Sequence, residues 1–142
     1  MITLTLPYPV SANRYWRSYA AKGRRGTVVT VSAEALRYRS EVAAIAIESG
    51  VHAPFVGRVD VSLMLYPARP ADWLKRAAAN PEYWDDSVRC IDLGNAEKVL
   101  FDALNGIAWI DDRQVMRITM ERMEPDAMGA RALVCVSDYR RW

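Results

Sequence analysis

Apolar and polar side chains alternate along several short stretches of this chain. Alternation is typical of a β-strand with one buried face, because successive side chains point to opposite sides of a sheet. This pattern, or in the second stretch a run of β-branched residues, predicts strands at residues 2–6, 27–31, 59–66, 116–120 and 132–136. The last two strands flank a turn over residues 125–129, which predicts a β-hairpin.

Two other stretches carry apolar residues at helical spacing. One covers residues 33–49, between Ser32, a favourable N-cap, and Gly50, a favourable helix stop. The other is the clearest element of the sequence, with Asp92 near its start and an Asn-Gly pair near its end. Its apolar residues recur at i, i+3, i+4 and i+7, and they are Ala96, Val99, Leu100, Ala103, Leu104 and Ile107.

Two segments, residues 7–26 and 67–88, show no such period. The first is rich in prolines, glycines and basic residues, which predicts a loop, and the second allows a short helix near Trp73 that ends at Asn80-Pro81. The resulting order, β-β-α-β-α-β-β, predicts an α+β fold with a mixed sheet and two main helices packed on one face. With 142 residues, the chain is expected to form a single domain over residues 1–142.

The residue composition excludes several classes of catalytic and metal site. The two cysteines, Cys90 and Cys135, lie far apart and no Cys/His cluster occurs, so a zinc site is not expected. The single histidine, His52, leaves little basis for Ser-His-Asp or Cys-His catalysis. No apolar run reaches membrane-spanning length and no signal segment follows Met1, so we expect a cytoplasmic protein with no membrane partner. We also expect no small-molecule organic cofactor. Hydrolytic chemistry would then depend on carboxylates.

Charge is distributed unevenly along the chain. The formal net charge is +2, but residues 1–39 hold seven basic residues and one acid, and the remainder carries a net charge of −4. This distribution suits a protein that lays a basic surface on phosphates and keeps a group of acids nearby, with cations between those acids and the polyanion. Ordinary surface charge explains the same numbers, so both interpretations stay open.

The acids Asp92 and Asp111-Asp112 flank the second helix. Metal-assisted cleavage of a phosphodiester needs carboxylates from separate elements at one point, because Mg²⁺ takes octahedral oxygen ligands. A helix of about 15 residues separates its ends by roughly 22 Å, so these acids meet only if the chain folds back after Ile107. The structural alternative is that Asp92 caps the helix and that Asp111-Asp112 forms a turn.

Three motifs in chain order resemble the signature of the RusA family of Holliday-junction resolvases. Residues 89–98 resemble the family's Asp-x-Asp-Asn-x-x-Lys block, residues 101–106 contain its Asp-Ala-Leu helix motif, and residues 109–115 contain its Asp-Asp pair before a strand. Residues 7–16 are similar to the family's proline-containing opening, which leads into Asn and aromatic residues. The resemblance implies a homodimeric endonuclease, dependent on Mg²⁺ or on Mn²⁺ in its place, that nicks symmetric strands of a four-way DNA junction in recombination and repair. Association with prophages is common in this family.

The resemblance also implies roles for individual residues, with Asp92, Asp112, Lys98 and Asn95 as the catalytic set. Asp92 and Asp112 match metal-ligand positions, and Asp111 is the weaker metal candidate because neighbours in an extended chain point opposite ways. Lys98 is expected to hold the scissile phosphate or to stabilise the charge that develops on it. Asn95 is expected either to orient the site or to satisfy N–H groups in the first helical turn.

Lys98 has a simpler alternative role, since Asp102 lies at i+4 and the two would form a surface ion pair. The branched DNA is expected to contact polar residues of the 7–26 segment and one residue of the central motif. These residues are Asn13, Arg14, Arg17, Lys22, Arg24, Arg25 and Arg89. Residues 67–88 look longer than the matching family loop and are interpreted as an insertion. Aromatic and basic residues alternate in this segment, which either stacks on unpaired bases or simply packs the loop.

Gly94 departs from the family pattern, which usually has a second aspartate at this position. Glycine has no side chain to bind a metal. Three hypotheses stay open: one ion held by Asp92, Asp112 and water; a replacement carboxylate from elsewhere; or a weakened protein that still binds branched DNA. The candidate replacements are Asp85, Asp86, Glu97 and Asp111.

Three classes of function therefore compete. The leading hypothesis is a junction-resolving endonuclease in which a metal ion activates water. The second is a structure-selective DNA-binding module with weak or no cleavage, because Gly94 replaces the usual aspartate. The third is a small protein-interaction domain whose acids only form caps and turns.

Overall fold

The computed structural model describes residues 1–20, 23 and 26–141. These residues form six strands, which are β1 (Ile2–Pro7), β2 (Trp16–Ala20), β3 (Thr27–Val31), β4 (Val59–Tyr66), β5 (Val115–Arg122) and β6 (Arg131–Asp138). They also form four α-helices, which are α1 (Ala12–Tyr15), α2 (Ala33–Glu48), α3 (Trp73–Ala79) and α4 (Leu93–Leu104). The α+β class is confirmed. Within the described residues, no helix has the combined length and apolarity needed to cross a bilayer.

Four strands form the main sheet in the order β1-β6-β4-β5. The β1–β6 and β6–β4 pairs are antiparallel and the β4–β5 pair is parallel, so the sheet is mixed as predicted. The predicted hairpin of the last two strands is wrong, because β4 lies between β5 and β6. Alternation identifies the buried face of a strand but not the strand it pairs with, and here β4, which is rich in apolar residues, pairs with both β5 and β6.

The predicted strand at residues 27–31 exists, but it does not join the main sheet. It is β3, and it pairs with β2 in a separate two-stranded antiparallel ribbon. The loop predicted for residues 7–26 is wrong in part, because this range contains β2 and the short helix α1 before it. The Trp16–Ala20 stretch shows no alternation of apolar and polar residues, because its residues are exposed or half-buried on both faces. It can be recognised as a strand only from its pairing with β3.

One face of the main sheet carries the core. Every second residue of β4 and of β6 is buried, which is the burial pattern that the alternation predicted. The buried sides of α2 and α4 join the same apolar cluster, so both long helices pack against this face. Full burial of a leucine such as Leu100 contributes on the order of 1.5–3 kcal/mol relative to exposure. The polar side of α4 is consequently directed to solvent.

The short helix predicted near Trp73 is confirmed as α3, with Asn80 as its C-cap. The guanidinium of Arg69 lies 4.2 Å from the centre of the Trp73 ring, and Trp73 packs on Trp84. Trp84 is buried and donates a 2.7 Å hydrogen bond to Glu124. These two tryptophans pack the 67–88 segment onto the body of the protein, as the structural alternative proposed.

Three tyrosine hydroxyls attach the first part of the chain to the helices and the core. The Tyr8 hydroxyl accepts a hydrogen bond from Ile91 N, and the Tyr38 hydroxyl donates one to Pro7 O. The fully buried Tyr15 donates to a carboxylate of α4. Burial, the largest cause, raises the pKa of Tyr8 and of Tyr15 to about 12, and it also raises the pKa of Tyr38.

These raised pKa values predict loss of stability in alkali. A tyrosine in the unfolded chain ionises near pH 10, whereas Tyr8 and Tyr15 keep their protons in the folded protein up to a pKa of about 12. Stability should therefore be at its full value below pH 10 and fall between pH 10 and 12, because only the unfolded chain loses these protons there. Urea midpoints measured from pH 8 to 11.5 should decrease less steeply for Tyr15→Phe than for the parent. Replacing the exposed Tyr19 by Phe should leave the slope unchanged, and equal slopes for all three proteins would contradict this prediction.

Candidate functional site

The motif residues are arranged around α4. Asp92 is its N-cap, and the Asp92 Oδ1 accepts a 2.8 Å hydrogen bond from Asn95 N. The side chain is exposed, and its second oxygen, Oδ2, has no hydrogen-bond partner among the described residues. The capping role expected of Asp92 is thus compatible with binding a cation through the free oxygen.

Asp112 lies at the other end of the same helix. Its Oδ1 accepts hydrogen bonds from Trp109 Nε1 at 2.7 Å and from Asn105 Nδ2 at 2.9 Å. Asn105 is the C-cap of α4, and Trp109 is completely buried, so the carboxylate is held in a fixed place. The chain does fold back after Ile107, but it returns to the C-terminal end of the helix and not to Asp92.

The length of α4 keeps these two carboxylates apart. Asp92 is one hydrogen bond from Asn95 and Asp112 is one hydrogen bond from Asn105, and ten residues of helix between these positions span about 15 Å. Two oxygens that bind one Mg²⁺ lie within about 4 Å of each other, because each Mg–O distance is close to 2.1 Å. A single chain therefore does not bring Asp92 and Asp112 to one ion. Among the described residues, no three acidic, histidine or cysteine side chains converge as a metal-binding group.

The neighbouring acids Asp111 and Asp112 are used differently. Asp111 Oδ1 accepts a 2.8 Å hydrogen bond from Arg113 N and caps a 3₁₀ turn. Asp111 borders a cleft beside residues 56–58, whereas Asp112 borders another cleft that it shares with Lys98. The two side chains thus face different parts of the surface, as expected of neighbours in an extended chain.

Gly94 is exposed and has ordinary backbone geometry. A Cβ built at this position would lie 3.5 Å from Asp92 Oδ1, with nothing else within 4 Å, so a side chain here would extend beside Asp92. None of the proposed replacement carboxylates joins Asp92 in a three-residue metal-binding group within the described part of the chain. Glu97 lines the cleft of Asp112, and Asp85 and Asp86 belong to the 3₁₀ turn Trp84–Ser87.

Lys98 and Asp112 share a cleft of about 400 Å³ on the solvent side of α4. The cleft is lined by Trp16, Glu97, Lys98, Phe101, Asp102, Asn105 and Asp112. Lys98 is exposed and forms no ion pair with any described residue, so the surface pair with Asp102 that the spacing suggested is absent. Its ammonium group is available to an anionic ligand.

Asn95 has a partner that local sequence did not indicate. Its Oδ1 accepts a 2.5 Å hydrogen bond from Ala12 N, the first residue of α1. The amide therefore joins α1 to α4 and does not satisfy N–H groups of its own helix. A second link between the same elements comes from Tyr15, which donates to Asp102.

Three of the expected DNA-binding residues lie on α1 and β2. Asn13 is exposed, Arg14 forms an ion pair with Glu34, and the guanidinium of Arg17 lies over the Tyr19 ring. Much of the positive charge of Arg14 is therefore already neutralised within the chain. Three further candidates, Lys22, Arg24 and Arg25, lie outside the described residues.

A larger cleft of about 740 Å³ adjoins the Asp92 end of α4. Three arginines border it, Arg14, Arg76 and Arg89, and its lining reaches Ile91, the residue before Asp92. Arg89 is exposed and makes no hydrogen bond or ion pair with the described residues. Arg76 comes from the 67–88 segment and was not among the expected DNA contacts. Its only signal in the sequence is the mixture of basic and aromatic residues in that segment.

Comparison with known proteins identifies the class. The family model of endodeoxyribonuclease RusA matches residues 7–135, which places the chain among DNA-cleaving enzymes. The chain is 30% identical over 141 residues to the crossover junction endodeoxyribonuclease RusA of Escherichia coli strain K12, covering 96% of this chain and 93% of that protein. The proteins of the same name in strains CFT073 and UTI89 match to the same extent. The chain belongs to the RusA family of endodeoxyribonucleases.

The position of Gly94 leads to a test of the metal site. Gly94→Asp should place a second carboxylate beside Asp92, where the helix N-terminus also favours negative charge by about 0.3–1 kcal/mol. Because two adjacent carboxylates bind a divalent cation more tightly than one, the Mg²⁺ concentration for half-saturation should fall several-fold. Isothermal titration with Mg²⁺ or Mn²⁺ measures this change. Gly94→Asn, which has the same size without the charge, should behave like the parent, and equal affinities for the Asp and Asn variants would argue against a metal site at Asp92.

Proposed function

We propose that this protein resolves four-way DNA junctions by paired symmetric nicks and that it requires Mg²⁺, with Mn²⁺ able to replace it. One observation carries the proposal: Asp92, Lys98 and Asp112, which the sequence resemblance assigns to the motif, are all exposed on α4 or at its ends, and all three lie within the range matched by the family model. The relatives in Escherichia coli are named crossover junction endodeoxyribonucleases, which supports branched DNA as the substrate.

A divalent ion fits the donor chemistry, although not within one chain. Asp92 and Asp112 each keep one carboxylate oxygen without a hydrogen-bond partner among the described residues, and carboxylate oxygens are the ligands that Mg²⁺ prefers. Such an ion supplies Lewis-acid activation of water and neutralises the leaving oxygen. Nucleases of this family generally need a divalent metal.

A homodimer resolves the separation of the two acids. When the two-fold axis of a dimer lies perpendicular to α4 and pairs the two copies of this helix, the helices run antiparallel, so the N-terminal end of each lies beside the C-terminal end of its partner. In this arrangement Asp92 of one subunit lies near Asp112 of the partner subunit, and two equivalent sites form. Two sites related by symmetry match a substrate that is cut at two symmetric positions.

The cationic residues then have separate tasks. Lys98, next to Asp112 and without an ion-pair partner in the described chain, holds the phosphate at the reacting position and stabilises its developing charge. Arg89, which borders the larger cleft and has no ion-pair partner among the described residues, contacts phosphates of the strand that leads to Asp92, whereas Arg14 and Arg76 on the same cleft are paired with Glu34 and Asp72. The 67–88 segment supplies one wall of this cleft. Its greater length relative to the family stays a prediction.

The alternative function is junction binding without cleavage. It is favoured by one observation, the absence of a three-acid group among the described residues, which follows in part from Gly94. Incubation with a synthetic four-way junction over a range of Mg²⁺ and Mn²⁺ concentrations decides between the two. Paired symmetric nicks support the resolvase, and a retarded complex without product supports the binding module. If neither nicks nor a complex appear, both functions are contradicted.

Mixing two inactive variants tests the shared site. Asp92→Asn and Asp112→Asn should each lower cleavage at least 100-fold while leaving junction binding intact, because a carboxylate beside phosphates is a source of repulsion as well as a ligand. When the two variants are unfolded and refolded together, half of the dimers are mixed and one of their two sites is intact, so roughly a quarter of the sites recover. The recovered product should carry a single nick. If each site belonged to one chain, the mixture would stay as inactive as either variant refolded alone.

Arg89 is tested through salt dependence. Arg89→Ala should weaken binding to duplex and junction DNA alike and lower the slope of log K against log salt concentration by about one, as expected for one lost phosphate contact. Filter binding between 50 and 250 mM salt measures the slope. Arg140→Ala, the loss of an exposed arginine outside the cleft, serves as the control. An unchanged slope for Arg89→Ala would remove Arg89 from the DNA surface.

A further inference from the structure

Asp102 is the acid of the Asp-Ala-Leu motif, and the proposed function gives it no task. It lies one helical turn after Lys98 on the same side of α4, a spacing at which an acid and a lysine commonly form an ion pair on an exposed helix. An acid in this position would compete with DNA for the lysine that the proposed function assigns to the phosphate. The structure shows that this pair does not form.

Asp102 instead binds two residues from other helices. Its Oδ2 accepts hydrogen bonds from the Tyr15 hydroxyl at the end of α1, and from Arg39 on α2 through Nε at 2.9 Å and Nη2 at 2.5 Å. Arg39 Nε also donates a 2.9 Å hydrogen bond to the Tyr15 hydroxyl, so all three side chains are mutually bonded. We call these residues the Asp102 clamp. The clamp is partly shielded from water, with 29% of the Asp102 side chain and 38% of the Arg39 side chain exposed.

We propose that Tyr15 and Arg39 are positioning residues, which hold the Asp102 carboxylate away from Lys98 and thereby keep the Lys98 ammonium available for a DNA phosphate. This inference rests on the proposed function of Lys98. It gives a shared purpose to two separate motifs of the chain, the aromatic opening that contains Tyr15 and the helix motif that contains Asp102. The substrate contact of Lys98 is thus prepared by residues that do not touch DNA.

The charges around Lys98 support this role. The acids that border its cleft are Glu97, Asp102 and Asp112, and none forms an ion pair with it. Asp112 is occupied by Trp109 and Asn105 through one oxygen, and Asp102 is neutralised by Arg39. Because a like charge near a phosphate site opposes binding, neutralising Asp102 also removes repulsion towards the incoming DNA strand.

Removing the arginine of the clamp tests the proposal. Arg39→Gln should free Asp102 to approach Lys98, and junction affinity should fall about fivefold, from competition for the ammonium together with repulsion of the phosphate. The slope against salt concentration should fall by about one, as for the loss of one phosphate contact. Arg37→Gln removes the same charge from an exposed position on α2 and should change the affinity less than twofold. Thermal unfolding of each variant verifies that it is folded.

Two double variants separate positioning from net charge and from folding. Adding Asp102→Asn to Arg39→Gln should restore binding to near the parent value, because a neutral side chain no longer competes for Lys98. Adding Glu48→Gln restores the same net charge from a distant position and should not restore binding. In a Lys98→Met background, Arg39→Gln should have a much smaller effect than in the parent, because only the repulsion between Asp102 and the phosphate then remains.

The outcomes distinguish this inference from the proposed function. If the parent protein binds the junction no better than duplex DNA, or if Lys98→Met has no effect, the proposed function fails. The positioning role is overturned if Lys98→Met weakens binding but the losses of affinity from Arg39→Gln and Lys98→Met are fully additive in the double variant. It is also overturned if Glu48→Gln restores the binding of Arg39→Gln as well as Asp102→Asn does. A crystal structure of the Arg39→Gln protein without DNA gives an independent answer. It should show Asp102 within ion-pair distance of Lys98, and an Asp102 carboxylate still directed at Tyr15 with Lys98 unpaired would overturn the proposal.

Discussion

The rigid length of α4 is the constraint on which the rest of the structure depends. Its apolar side is buried against the sheet, so the helix can neither rotate nor bend to bring its two ends together. One metal candidate, Asp92, caps the first turn, and the other, Asp112, is held against the C-cap residue Asn105. The separation of the acids is therefore a property of the core. Because the core keeps the ends of α4 apart, the proposed shared site requires a second subunit and not a movement within the chain.

Whether a basic residue of this protein is available to a phosphate depends on its ion-pair partners within the chain. The basic excess in the first 39 residues suggested a surface for phosphates, yet Arg14 is paired with Glu34 and Arg39 is paired with Asp102. Those two arginines contribute little free positive potential. The cations without partners among the described residues include Lys98 and Arg89, which lie outside the basic segment and beside the two clefts of α4. These two unpaired cations are not among those that a count of charges in the first 39 residues indicates.

Much of the fold was predictable, because its main signals are local. The alternation in β4 and β6 and the apolar spacing in α2 and α4 each reflect burial of one side of one element, and the structure confirms these elements. The hairpin prediction was wrong because strand pairing depends on which strand occupies the centre of the sheet. The ribbon strand β2 was missed because it lacks a buried side and is stabilised by pairing with β3.

The candidate site divides in the same way. By itself, the sequence determined that a helix begins after Asp92 and that Asp92, Lys98 and Asp112 stand where the family resemblance expects motif residues, with glycine at position 94. These features depend on residue identity and on neighbours within a few positions. Only the tertiary structure decided that Asp102 binds Tyr15 and Arg39 and leaves Lys98 unpaired. The partners of Asp102 are 87 and 63 residues away along the chain, and contacts over such separations follow from how helices pack together, which no local pattern encodes.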